Sequence, residues 1–190
     1  NKQWESLDDE ALMHEVQAFN HPAFAELVRR HTSKFYAVAY RTVFNKPDAE
    51  DIVQEAFLKL WRKPELWNPD SGAKFTTWFY RLVVNLCHDH NRKKKPDLLP
   101  EEFDVVETES EDPGEMMDEM RRQQWLDKAI LSLPERQQTA LNLCFAQGIS
   151  NQEAADIMGL KLKALQSLLM RAKTTLIQKA NREEEELRDA

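Results

Sequence analysis

The sequence predicts an all-α protein: two helical domains joined by an acidic linker, with a helix-turn-helix in the C-terminal domain. Only 4 of the 190 residues are Gly, and the chain has no clean alternating apolar runs of the kind that strands produce. Apolar residues instead recur at helical spacing along most of the sequence. The acid-rich segment 96–114, with its prolines and glycine, interrupts this pattern and divides the chain.

Three helices are expected before the first long loop. The first covers residues 6–19, and Pro22 lies in the first turn of the second, which runs to about Phe44. Asp48 is expected to cap the third helix, which ends near Lys63. The inward-facing residues of the first helix are Leu12, Val16 and Phe19.

The third helix, DAEDIVQEAFLKLW at 48–61, has more apolar surface than one face can bury. One interpretation is an ordinary core helix with a solvated charged face. The other is a docking surface, because aromatic anchors bordered by fixed charges are favoured in protein interfaces. Periodicity leaves both interpretations open. The candidate contact residues are Asp48, Asp51, Gln54, Glu55, Phe57 and Trp61.

A turn-rich loop at 65–74 precedes a fourth helix, which begins at about Phe75 with several aromatic residues and ends in a basic run at 92–95. One face of this helix packs in the core. A second stripe mixes aromatic, amide and cationic groups, which suits nucleic acid because exposed aromatics stack on unpaired bases and Lys or Arg neutralise phosphates. The alternative is a basic last turn that complements the helix dipole. The stripe contains Trp78, Arg81, Asn85, His88, Asp89 and Arg92.

The net charge of −7 is unevenly distributed along the chain. Between Pro96 and Met120 there are 11 acidic and no basic residues, whereas the remaining sequence has 26 Lys and Arg against 22 Asp and Glu. The regions expected to contact partners are therefore basic, and the overall charge is a poor guide to nucleic-acid binding. We expect the acidic segment to repel DNA and to lie in a basic channel otherwise suited to nucleic acid.

The C-terminal domain, residues 115–180, contains the helix-turn-helix. Ser150 and Glu153 form a capping-box motif, and Gly159 ends the helix that they begin. An apolar stripe from Leu165 to Leu176 predicts a second helix, whose other face suits base edges and phosphates in a major groove. The alternative interpretation, a helical hairpin that only packs in the domain and does not bind DNA, is left open. The candidate DNA contacts are Lys161, Lys163, Gln166, Ser167, Met170, Arg171 and Lys173.

The helices that precede the helix-turn-helix are expected to bury part of the domain's core. Their inward residues include Met117, Leu126, Leu141, Cys144 and Phe145. The charged tail at 181–190 is expected to fray.

No motif for catalysis or metal binding is evident in the sequence. Cys87, His88 and His90 do not converge as a ligand set on a helix, and no Gly-rich phosphate loop or nucleophile elbow occurs. We therefore expect no enzymatic activity, no metal and no cofactor. The two cysteines suit a reducing cytoplasm, and no signal peptide or membrane-length apolar run is visible.

Four motifs, in their order and spacing, resemble a bacterial sigma-70-family factor of the extracytoplasmic-function (ECF) group. They are DAEDIVQEAFLKLW at 48–61, KFTTWFYRLVVNLCHDHNRKKK at 74–95, LPERQQTALNLCFAQGISNQEAADIMG at 133–159 and LLMRAKTTL at 168–176. The resemblance covers residues 24–180. It implies a non-enzymatic subunit that binds the β and β′ subunits of core RNA polymerase, directs the enzyme to promoter DNA and helps to open it.

The resemblance also assigns roles to individual regions. Residues 1–95 would bind polymerase through the helix at 48–61 and would read and melt the −10 element, with a flipped base held by the loop. Residues 115–180 would read the −35 element, and the acidic linker would thread the polymerase channel. An anti-sigma partner, a cytoplasmic location and no membrane insertion are further implications. The −10 residues would be Asn68, Ser71, Lys74, Trp78, Arg81, Asn85, His88 and Arg92.

Two other classes of protein remain as alternatives. A stand-alone helix-turn-helix regulator would bind operator DNA, usually as a dimer on a palindrome, but no dimerisation heptads or ligand pocket are evident. An interaction protein with a purely structural helix-turn-helix would not bind DNA.

Overall fold

The computed structural model describes residues 2–94 and 113–189, most of which are helical. The chain divides into two compact units, one containing the residues up to Lys94 and one containing most of the residues from Pro113 onward. The predicted all-α fold is confirmed. The expectations for the acidic segment fall mainly on residues 95–112, which lie outside the described residues.

Helices α1 to α5 form the N-terminal unit. They are α1 Lys2–Glu5, α2 Asp9–Gln17, α3 His21–Val43, α4 Lys46–Arg62 and α5 Phe75–Lys94. Side-chain oxygens of Asp8, Asn20 and Asn45 cap α2, α3 and α4 by accepting a backbone N–H three residues ahead, at 2.7, 3.4 and 3.0 Å. These bonds satisfy N–H groups that have no partner within the first turn, so each start is fixed locally.

The start of α4 differs from the sequence-based prediction. Asn45, and not Asp48, caps the helix, and Pro47 lies in the first turn. A proline is tolerated there because its missing N–H would have had no intrahelical acceptor. The carboxylate of Asp48 is therefore available for other contacts.

Aromatic packing forms the centre of the N-terminal unit, where α3 contacts α2, α4 and α5. The ring of Phe79 is fully buried, with centroids 4.6 Å from Phe35 and 4.8 Å from Phe57. Burying each such side chain stabilises the fold by about 1.5–3 kcal/mol. Phe19, expected to face inward, is 60% exposed, because α2 has ended and its backbone is left-handed at φ 59°.

Helices α6 to α9 belong to the C-terminal region. They are α6 Pro113–Leu131, α7 Glu135–Leu141, α8 Asn151–Met158 and α9 Leu162–Asp189, and both α6 and α7 pack on α9. One π-helical turn, Asn142–Ala146, follows α7. That turn changes the helical register, and Phe145, expected inward, is 57% exposed.

Two further expectations for this region were wrong. Met117 and Leu126 were expected in the core but are 54% and 37% exposed. The tail, expected to fray, continues α9 to Asp189, because the run of Glu, Leu and Arg favours helix. Among the residues that the structure describes, no helix is both long and apolar enough to span a bilayer.

Candidate functional site

The exposed side of α4 carries three of the predicted contact residues together. Asp51, Gln54 and Glu55 are exposed, and Gln54 and Glu55 lie three and four positions after Asp51, which places them on one helix face. Lys59 borders this face, with its Nζ 3.4 Å from the Glu55 carboxylate. The face is largely polar and anionic, although Leu58 on the same side is 49% exposed, while Ile52, Val53, Ala56 and Leu60 face the core.

The remaining α4 candidates have different surroundings. Phe57 is 5% exposed and packs in the aromatic core, so its ring is not part of the surface. Asp48 is only 19% exposed and is paired with His90 and Lys94 at the end of α5. Trp61 is half-buried, with its ring centroid 4.3 Å from His21 and 5.0 Å from Phe24. The structure therefore groups the three exposed polar residues but directs Asp48 and Phe57 inward.

The loop between α4 and α5 is ordered by two short 3-10 turns, Pro64–Leu66 and Pro69–Ser71. Within it, the Asn68 side chain accepts the N–H of Asp70 at 2.9 Å, and the Ser71 hydroxyl donates to the Asn68 carbonyl at 2.7 Å. Gly72 follows with φ 72°, a conformation that glycine adopts without steric cost. Asn68, Ser71 and Lys74, the predicted base-contacting residues of the loop, are exposed.

Trp67 anchors this loop, and the sequence reasoning missed it. Its side chain is 1% exposed, and its ring lies edge-on to His14 at 6.1 Å and to Phe75 at 6.5 Å. A tryptophan between turn-forming residues was the available signal, because a large apolar side chain in a polar loop usually marks its point of burial.

Helix α2 contacts both ends of the loop. The Gln17 amide donates to the carbonyls of Pro64 at 3.3 Å and Trp67 at 3.1 Å. At the other end, the backbone N–H of Phe75 donates to the Glu10 carboxylate at 3.1 Å. Neither Glu10 nor Gln17 was singled out in the sequence, because an exposed-looking polar residue on a short helix gives no sign of a contact more than 45 residues away.

Two open cavities flank Trp67. One has a volume of about 460 Å³ and the other of about 390 Å³. The larger is lined by Asp9, Glu10, Trp67, Pro69, Gly72, Ala73, Lys74 and Thr76. The smaller is lined by Gln17, Phe19, Pro64, Glu65, Trp67, Asn68 and Pro69. The loop therefore presents concave polar and aromatic surface beside residues predicted to take an unpaired base.

The predicted stripe of α5 lies on one side of the helix. Apart from the neighbours His88 and Asp89, its successive members are three or four positions apart, so they align along the axis. Arg81, Asn85 and Arg92 are exposed, whereas Trp78 and His88 are half-buried. Arg92 lies 3.7 Å from Asp89, an exposed pair that leaves its charge accessible to an anion. The stripe thus combines an aromatic edge with cationic and amide groups.

The polar face of α9 is opposite its buried stripe. Leu165, Leu169 and Ala172 are buried, while the predicted DNA contacts are exposed, apart from half-buried Ser167. The Ser167 hydroxyl donates to the Lys163 carbonyl at 3.0 Å. The exposed contacts are Lys161, Lys163, Gln166, Met170, Arg171 and Lys173.

Local geometry fixes the helix-turn-helix as the sequence predicted. The N–H of Glu153 donates to the Ser150 hydroxyl at 3.2 Å, and Gly159 ends α8 with φ 65°. The Lys173 ammonium lies 4.5 Å from the centre of the exposed Phe145 ring, which holds this cation on the polar side of α9.

Comparisons with known proteins identify the family. Residues 27–96 match Sigma-70 region 2, and residues 123–176 match Sigma-70, region 4. Over 182 residues the chain is 30% identical to the ECF RNA polymerase sigma-E factor of Escherichia coli (strain K12), a match that covers 90% of this chain and 94% of that protein. The chain belongs to the ECF group of sigma-70-family sigma factors.

Other relatives agree with this placement. The chain is 33% identical over 158 residues to the ECF RNA polymerase sigma factor SigE of Mycolicibacterium smegmatis, covering 82% of this chain but 60% of that protein. It is 27% identical over 172 residues to the ECF RNA polymerase sigma factor SigW of Bacillus subtilis, covering 85% and 91%. The fold is similar to that of CnrH, solved in complex with the cytosolic domain of CnrY, with a TM-score of 0.68, 22% identity and 92% and 97% coverage.

Family membership decides among the classes of protein that the sequence left open. A sigma factor directs RNA polymerase to promoters, and this ECF sigma factor therefore acts in transcription initiation. A stand-alone operator-binding regulator is not favoured. Residues 1–26, which include α2, precede the first family match.

Proposed function

We propose that this ECF sigma factor binds core RNA polymerase through the exposed α4 face formed by Asp51, Gln54 and Glu55, with Trp61 at its edge. The observation that carries the proposal is the separation of this anionic surface from the aromatic core beneath it. Fixed charges around an aromatic anchor favour a specific protein partner. Asp48 and Phe57 act from inside the unit by holding α4 in place.

Replacing Asp51→Ala together with Glu55→Ala tests this surface. We expect polymerase binding to be abolished while helicity and the unfolding temperature are retained. The matched control is Asp118→Ala with Glu119→Ala, which removes two exposed carboxylates from α6 instead. Equal loss of binding in both double variants would attribute the effect to net charge and would overturn the α4 assignment.

The loop and α5 form the −10 site. An unpaired non-template base enters the concave surface beside Trp67, where Asn68, Ser71 and Lys74 provide polar groups. Unstacking a base costs a few kcal/mol, which stacking and hydrogen bonds in such a site offset. Along α5, the exposed stripe follows the single strand. Its members are Trp78, Arg81, Asn85, His88 and Arg92.

The exposed face of α9 reads the −35 element in the major groove. Gln166 and Arg171 provide hydrogen-bonding groups for base edges and phosphates, and Met170, 64% exposed, offers a thioether to a thymine methyl. The lysines at 161, 163 and 173 neutralise phosphates. Arg171→Ala should weaken −35 binding and reduce the salt dependence of the affinity by about one phosphate contact.

The proposed roles divide along the chain by region. Residues 1–95 bind polymerase and the −10 element, 96–114 form the acidic linker, 115–180 bind the −35 element and 181–190 form a charged tail. The protein has no enzymatic role of its own, needs no cofactor and acts in the cytoplasm, where bacterial polymerase meets the chromosome. An anti-sigma partner is supported by the solved complex of a similarly folded factor, RpoE with the anti-sigma factor NepR from Bartonella quintana.

Promoter-directed transcription tests the proposal as a whole. Purified bacterial core polymerase would be assayed with and without the full chain on a library of duplex promoters. We expect specific initiation that depends on this chain and on both promoter elements. Tight duplex binding by the protein alone, without initiation, would instead support an independent regulator.

A further inference from the structure

Helix α2 precedes the residues that match Sigma-70 region 2, yet it holds both ends of the proposed −10 loop. Glu10 and Gln17 are seven positions apart, which is about two turns of helix and about 10 Å along its axis. Residues at this spacing point to the same side. One helix face therefore contacts the loop where it leaves α4 and where it enters α5.

The contact at the loop's end involves the first turn of α5. The N–H of Phe75 belongs to the group of backbone donors that have no acceptor within their own helix. The Glu10 carboxylate accepts this bond at 3.1 Å and places a negative charge at the positive end of the α5 dipole. Glu10 thus determines where the loop stops and α5 begins.

The contact at the loop's start bridges two carbonyls. The same Nε2 of the Gln17 amide donates to the carbonyls of Pro64 and Trp67. These two carbonyls flank the first short turn of the loop. The Trp67 ring lies between His14 of α2 and Phe75 of α5, so α2 contacts both the backbone and the side chain of this residue.

Helix α2 is itself fixed to α3. Asp9, next to Glu10, lies 2.8 Å from Nε2 of His31 and 3.2 Å from Nη1 of Arg30. The same Arg30 donates to the carbonyls of Trp4 and Leu7, which ties down the chain before α2. Because α2 is fixed to α3, it can hold the loop that it contacts in one conformation.

We propose that Glu10 and Gln17 are positioning residues that hold the 64–74 loop in the conformation that captures the unpaired −10 base. This inference rests on the proposed function of that loop. A loop held in its binding conformation avoids the entropy cost of ordering when the base enters. Without these two side chains, the loop would discriminate less strongly between a template with the −10 base and one with an abasic site at that position.

The test uses complete holoenzyme on promoter templates whose −10 region is already unpaired. Each non-template −10 base is replaced in turn by an abasic site. The Kd for the abasic template divided by the Kd for the normal template, called the abasic ratio, measures base capture at that position. The variants are Gln17→Glu, which removes the amide donor at nearly constant shape, and Glu10→Ala. Glu10→Gln keeps an acceptor oxygen, and Glu15→Gln alters a carboxylate of the same helix that contacts Asn20 and not the loop.

We expect the abasic ratio at the captured position to fall about fivefold in Glu10→Ala, which loses one hydrogen bond, and by at least as much in Gln17→Glu, which loses two. Glu10→Gln should regain most of the ratio, and Glu15→Gln should match the unaltered protein. Affinity for core polymerase and for a −35 duplex should not change. The buried residues of α2 remain in place in Gln17→Glu, so this variant tests the inference even if Glu10→Ala lowers the unfolding temperature.

Two results would overturn the inference, and they differ from failure of the loop's proposed function. An unchanged abasic ratio in both variants would exclude positioning by α2. Equal weakening on normal and abasic templates would indicate a structural role only. If the unaltered protein itself showed no abasic penalty at any −10 position, base capture by the loop would be excluded first.

Discussion

The carboxylate of Asp48 lies 3.1 Å from Nε2 of His90, which joins the first turn of α4 to the last turns of α5. Lys94 pairs with the same carboxylate oxygen. Burial opposes ionisation here, but the Lys94 hydrogen bond and the charges of His90 and Lys94 lower the pKa of Asp48 overall. Asp48 therefore connects two helices, although the sequence alone suggested a cap and a contact with polymerase.

Asp48→Asn should reduce stability more than it reduces polymerase affinity. The amide keeps the shape of the side chain but removes the charge that faces His90 and Lys94, and we expect a loss of about 1 kcal/mol in the free energy of unfolding. Chemical denaturation and core-binding titrations measure the two effects. Asp51→Asn, an equivalent change on the exposed face, should show the reverse pattern. A loss of polymerase affinity in Asp48→Asn without a loss of stability would contradict this prediction and would indicate that Asp48 contacts polymerase directly.

The Glu26 carboxylate makes the protein sensitive to acid. Hydrogen bonds from Arg29 and Arg30, each with a 2.7 Å contact, lower the pKa of Glu26 from 4.5 to about 2. A carboxylate whose pKa is lower in the folded state stabilises that state fully above pH 4.5, and the contribution disappears as the pH falls from 4.5 to 2. In Glu26→Gln the side chain has no carboxylate to protonate, so this pH-dependent contribution to stability is absent.

The unfolding temperatures of the unaltered protein and Glu26→Gln should therefore converge as the pH is lowered through that range. Glu50→Gln, at an exposed position of α4, is the control for a general change of charge. A constant difference between Glu26→Gln and the unaltered protein from neutral pH to pH 2 would show that ionisation of Glu26 does not contribute.

Helical periodicity predicted the elements of this fold, but not what happens where a helix stops. Phe19 and Phe145 were both assigned to the core by their spacing. Phe19 comes after α2 has ended, and Phe145 lies in a π-turn, so neither keeps the register on which the prediction depended. Local capping chemistry was easier to read at Ser150, because its partner is three residues away.

The candidate site was predictable only where it follows one helix. The exposed faces of α4, α5 and α9 could be read from residue spacing, since each face is contained in a single segment. The contacts from α2 that hold the loop could not be read from residue spacing. Gln17 bonds residues 47 and 50 positions away, and Glu10 bonds one 65 positions away. Contacts of this kind leave no periodic pattern in the sequence. The match to Sigma-70 region 2 begins at residue 27, after α2, so it does not include Glu10 or Gln17.

Cys87 should be unreactive in the folded protein. Burial raises the pKa of its thiol to about 12, and only the thiolate is a good nucleophile. Cys144 is half-buried and should react faster. Iodoacetamide labelling at pH 8, followed by mass spectrometry of both peptides, should modify Cys144 first and Cys87 only after denaturation. Equal rates in the native protein would contradict this and would make Cys87 accessible to oxidants.

Gly159→Ala should destabilise the helix-turn-helix through its backbone alone. Gly159 has φ 65°, and an added Cβ would meet no atom within 4 Å, so the cost is conformational and not steric crowding. A non-glycine residue in this left-handed region costs about 1–2 kcal/mol, and chemical denaturation of the full chain would measure it. Gly159→Asn should lose less, because asparagine tolerates this conformation better than alanine. If alanine were as stable as glycine, or more so, the left-handed backbone at residue 159 would carry no conformational cost, which would contradict the prediction.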